Sequence, residues 1–177
     1  MKKGKMLKNI AVAKDWLGAE HDSLNNVIEL LSSLQEDIQK INTPKERKDV
    51  RRARRQFAYA GRSERNVDRY EKKVEEGLRE IEAHLANPRD RLYVENLLQQ
   101  IRVAASTLVK LSSRYSGKLK TDLERLSKDI DKQDLEDAQN AMQMIQQEVV
   151  RANEWMSSLA KLLDDAGRLA SSERIAA

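Results

Sequence analysis

Cysteine is missing from all 177 residues, which excludes disulfides, thiolate metal ligation and a cysteine nucleophile. Glycine and proline are scarce, at six and two residues, and aromatics make up only 4%. Beside 35% charged residues, so few of each is the profile of long solvated helices rather than of a thick globular core. Long apolar runs are absent as well: nothing approaches the roughly 18 residues that a membrane-spanning helix needs. The basic opening Met1-Lys2-Lys3-Gly4-Lys5 is followed by an apolar run, Ile10 to Ala13, that stops at Lys14-Asp15, too short for an export signal. The expected address is the cytoplasm.

What the chain has in abundance is charge, 35% of its residues, beside a hydrophobic fraction of 40%. That apolar content is enough to fold, and it is periodic rather than scattered. The net charge of +4 conceals an asymmetry. Residues 43–86 carry thirteen basic groups against nine acidic, and 87–130 carry nine against five, whereas 131–177 carry five against nine. The middle of the chain is therefore the part suited to an acidic partner.

Three evenly spaced signals divide the chain: Thr43-Pro44-Lys45-Glu46, Asn87-Pro88-Arg89-Asp90 and Asp131-Lys132-Gln133-Asp134, each 44 residues from the last. Each pairs a side-chain oxygen with an acid three residues on, the capping-box arrangement that satisfies the free N–H groups of a helix start. Proline at 44 and 88 suits a first helical position, where its missing N–H is no loss. The expected helices span about 5–41, 44–85, 88–130 and 132–170, with a frayed tail at 171–177.

Their inward positions follow a 3-4 spacing. The first helix places Ile10, Ala13, Leu17, Leu24, Val27, Leu31, Leu34, Ile38 and Ile41 on one stripe, interrupted by Glu20 and widened by Trp16, Ile28 and Leu30. The second places Val50, Ala53, Phe57, Ala60, Val67, Val74, Leu78, Ile81 and Leu85 likewise, with Glu64 and Glu71 where apolar residues are due. The third runs from Val94 to Ile130, with a weak point at 112–117 where serines and Gly117 disfavour helix. The fourth, from Leu135 to Ala166, has the most regular stripe. Helices of about 40 residues and roughly 60 Å, joined by two or three residues, must turn back on one another. The expectation is a single all-α domain over 1–177: an elongated antiparallel up-down-up-down four-helix bundle with coiled-coil-like a/d seams. A proline-kinked continuous rod is the competing geometry.

The strongest candidate site is the start of the second helix: Lys45, Lys48, Arg51, Arg52, Arg55, Arg62 and Arg69, flanked by Arg47 and Arg54. The first seven fall opposite Phe57 and Val67, toward solvent. Seven of residues 44–55 are basic and two acidic, although cations in a first turn oppose the helix macrodipole. Arg125, Lys128 and Lys132 are expected at the same end of the bundle. Such a face suits an acidic protein surface or a phosphate backbone, and Tyr59 is the one ring interleaved for stacking. The plainer reading is a solvated face, partly neutralised by Glu46, Asp49 and the acidic residues Asp134, Glu136 and Asp137.

Counting from the turns also sets Glu20 level with Glu64 to Asn66, 108–112 and 153–155, a polar layer at mid-height. A bundle di-metal site there would need Glu-x-x-His pairs, but His21 follows Gly18 and His84 follows Ile81 at that spacing. No metal or other cofactor is expected. Adjacent acids such as Glu75-Glu76 and Asp164-Asp165 diverge on a helix and are not poised for acid/base work. Met142, Met144 and Met156 with Trp155 read either as core filler or as an adaptable groove. The sequence thus points to a non-enzymatic scaffold or adaptor for a protein partner, with nucleic-acid or anionic-surface binding, or self-association, as alternatives.

Overall fold

The computed structural model describes residues 3–36, 44–117, 121 and 135–172, without the side chains of 35, 36, 44–47, 115, 116, 135, 137 and 138. Among the described residues the chain forms four helices and no strand: α1 (Lys3–Glu36), α2 (Pro44–His84), α3 (Pro88–Ser116) and α4 (Leu135–Ser171). It is an all-α four-helix bundle. Of the three cap signals, Asn87 lies within the described residues, and it caps α3. Its Oδ1 accepts from the Arg89 N–H at 2.9 Å, while its carbonyl accepts from the Arg91 N–H at 3.1 Å. The first bond satisfies one of the free N–H groups of the helix start, a contribution of about 1 kcal/mol. Arg91 Nε also donates to the Leu85 carbonyl at 2.5 Å, tying the turn to the end of α2. The cap signals at Thr43 and Asp131 fall outside the described residues.

The weak point at 112–117 marks the end of α3. The helix stops at Ser116 and Gly117 sits in a turn, its N–H still bonded to the Ser113 carbonyl at 3.1 Å. Most of the expected continuation toward residue 130 lies outside the described residues.

Two compact units divide the chain, and each gathers segments of all four helices: Met1–Gly18, Ser63–Val109 and Glu154–Ala177 in the first, Ala19–Arg62 and Lys110–Asn153 in the second. In the first unit, Lys3 Nζ donates to the Ser171 carbonyl at 3.5 Å and Lys14 pairs with Asp164 at 2.5 Å, so α1 and α4 lie alongside with opposite sense. Its core comprises Met6, Ile10, Ala13 and Leu17 of α1, Val67, Val74, Leu78 and Ile81 of α2, and the inward residues of α3 and α4 from Val94 to Leu108 and Met156 to Ala170. The second unit buries Leu24, Val27, Leu31 and Leu34 against Val50, Ala53, Phe57 and Ala60, with Leu111, Met142, Ile145, Val149 and Ala152. Arg114 reaches Glu148 at 3.2 Å, and Asn153 Nδ2 donates to Asn25 Oδ1 at 3.3 Å. Apolar residues expected inside are buried wherever their side chains are described, except Leu85, which is half-buried at the end of its stripe. Trp16, Ile28 and Leu30, read as widening the stripe of α1, are half-buried.

The acids that interrupt the stripes stay at their inward positions: Glu20, Glu64 and Glu71 are all buried. Glu71, in the first unit, is the most perturbed. Burial first, then a hydrogen bond and repulsion from Glu75 and the charge of Asp68, push its carboxyl from 4.5 up to about 9. Glu75 is in turn held by α3, accepting from Arg102 Nε at 2.5 Å.

Candidate functional site

α2 begins with apolar residues at 50, 53, 57 and 60 turned inward, and that choice fixes where its cations go. With one stripe committed to the core, the residues between project outward at 3.6 per turn. Lys48, Arg51, Arg52 and Arg55 are all exposed, as are Arg62 and, in the first unit, Arg69. Lys45 lies on the same helix at Pro44–His84, and its side chain is outside the description. Arg54, placed at the flank of this face in the sequence, is half-buried.

The acid that answers this face within the described residues is Asp49, nearly buried and 3.8 Å from Arg52, whose side chain remains 55% exposed. An exposed pair at that distance contributes little, because water screens it and two flexible side chains must be ordered. Among the described residues Lys48, Arg51 and Arg55 have no ion-pair partner. Tyr59 is 47% exposed, and the Arg62 guanidinium stands 6.0 Å from its ring centre. Of the neighbouring charges named from sequence, Glu136 is exposed, while Arg125, Lys128, Lys132 and Asp134 fall outside the described residues.

What the sequence did not reveal is that α1 shares the site. Asn26, Glu29 and Ser33 of α1 face Arg52, Arg55 and Tyr59 of α2 across an open groove of about 450 Å³ within the second unit. Leu30 and Gln56 also line it, and Asn26 Nδ2 donates to Gln56 Oε1 at 3.4 Å. The signal was present as a spacing. Lys48, Arg52, Arg55, Tyr59 and Arg62 recur at 4-3-4-3, and Asp22, Asn26, Glu29 and Ser33 at 4-3-4. Each line keeps the period of its helix's buried stripe, offset by two residues, so each runs along the helix as the core does.

Other candidates separate differently. Met142 in the second unit and Met156 in the first are buried as core, while Met144 is 48% exposed and Trp155 is half-buried. Both histidines are exposed: His21 lies 3.3 Å from the Asn25 amide and His84 Nδ1 is 2.7 Å from the Glu80 carbonyl. Among the described residues no group of three or more histidines and carboxylates is placed to hold a metal ion. No helix among them is long and apolar enough to cross a membrane. Comparison with protein-family models, with curated proteins and with solved structures found no match for this chain.

Proposed function

We propose that the chain is a non-enzymatic helical scaffold or adaptor that docks a protein partner through the basic start of α2. The observation that supports this most is the crowding of Lys48, Arg51, Arg52 and Arg55 onto two turns of exposed helix with Asp49 as their described counter-charge. Like charges at helical spacing cost a few tenths of a kcal/mol each, and their position near a helix start adds to that. A surface that carries such a cost is accounted for by a partner whose acids remove it, since complementary charge speeds encounter and fixes orientation. Charge reversal at Arg51, Arg52 and Arg55 is expected to abolish recovery of that partner in a pull-down, with helicity by circular dichroism unchanged. Undiminished recovery would count against the surface.

Tyr59 favours a second reading, because an exposed ring among cations is also how single-stranded nucleic acid is held. That reading requires binding to an unrelated oligonucleotide that weakens steeply with salt.

A further inference from the structure

The groove of the second unit has walls of opposite sign. On α2 the wall is cationic, with Arg52 and Arg55 one turn apart and Tyr59 following. On α1 it carries Glu29, exposed, and Asp22, with its side chain 82% exposed, extends the same line. Although they border one groove, Glu29 forms no ion pair with Arg52 or Arg55 among the described residues. An occupant that is acidic throughout, whether a phosphate backbone or an acidic peptide, meets Glu29 as well as the arginines. The fitting occupant carries a basic line and an acidic line side by side, at helical spacing and at the separation of two packed helices.

This chain carries that pair of lines itself. We propose that the α1–α2 face of the second unit docks the same face of a second copy, an inference that rests on the protein-docking reading and names its partner. Symmetry decides the arrangement. In a two-fold contact the same patch is used twice, residue i meeting j and j meeting i. A two-fold axis lying in the interface across the helices would set α1 on α1 and acid on acid. An axis lying in the interface along the helices sets each α1 on the partner's α2 and keeps every residue at its own height. Glu29 then stands beside Arg52 and Arg55 of the other copy, because all three border the same groove. Both acid lines and both cation lines are answered at once. Leu30 and Tyr59 add apolar area, but the contact is mainly polar, so it is a salt-sensitive dimer rather than an obligate one.

Sedimentation of the full chain tests this, over about 5 to 500 μM protein and at roughly 20 mM and 500 mM salt. The expected result is a mass that rises toward the dimer with concentration at low salt and returns to the monomer at high salt. Arg52→Glu with Arg55→Glu leaves both walls acidic, and Asp22→Lys with Glu29→Lys leaves both walls basic. Each double variant alone is expected to dimerise at least about tenfold more weakly. Mixed in equal amounts they are expected to restore pairing, as a heterodimer of the two. A monomer at every concentration overturns the inference, as does a dimer that neither variant weakens or a mixture that stays monomeric. If the wild type is monomeric yet its pull-down partner is lost on charge reversal at Arg51, Arg52 and Arg55, only the self-pairing fails and the docking surface stands.

Discussion

Phe57→Ala is expected to lower the free energy of unfolding by about 3–5 kcal/mol, a large part of the 5–15 kcal/mol that holds a typical domain together. Phe57 is wholly enclosed and is the chain's single phenylalanine. Its inward neighbours on α2 are Ala53 and Ala60, with Gly61 also buried. Small neighbours let adjacent helices approach closely, and for that reason they have no bulk with which to refill a hole. The lost transfer energy and the residual cavity therefore both count. Urea unfolding followed by circular dichroism measures it, and a midpoint shift at unchanged slope identifies a stability effect. A loss below about 1 kcal/mol would mean that the surrounding helices collapse into the space.

Glu71→Gln is expected to stabilise the protein, and increasingly so as pH rises. The folded carboxyl titrates near 9 and the unfolded one near 4.5, so between those values the folded state holds a proton that the unfolded state releases. Stability from this group is intact below 4.5, falls through the interval and levels off above 9. At pH 7 the accumulated loss is about 3 kcal/mol, at ~1.4 kcal/mol per decade. Glutamine has the same shape, can also donate toward Glu75, and does not titrate, so its advantage over wild type is near zero at pH 4 and grows toward pH 9. Denaturant midpoints across that range measure it. A difference independent of pH would show that Glu71 is ionised in the folded protein, with water or a cation reaching its Oε1, which has no hydrogen-bond partner among the described residues. Arg102 does not remove the penalty, because its guanidinium is held by Glu75.

These two residues mark how far the sequence could be read. Helix identity and inward stripes were legible because they depend on local spacing, and the α3 cap because Asn87, Pro88 and Asp90 form a short-range signal. The inward position of Glu71 was legible from the same period. Its protonation was not, because that depends on tertiary burial excluding water and on Glu75 being held from α3. The basic side of α2 was visible in sequence, but the acid wall across the groove was not: Glu29 and Arg52 are 23 residues apart and only the packing of α1 beside α2 brings them together. The division into two units is likewise a property of contacts between distant segments, and no composition shift marks it.

Two methionines on α4, separated by a single residue, face opposite environments: Met142 is sealed inside and Met144 stands open to solvent. A peroxide arriving from solution reaches the Met144 sulfur before the enclosed one and converts it to a polar sulfoxide on a side chain that is 48% exposed. In a chain with no thiol to consume the oxidant, Met144 is therefore the first of the described methionines to be oxidised, and the interior row of α4 side chains stays as it was.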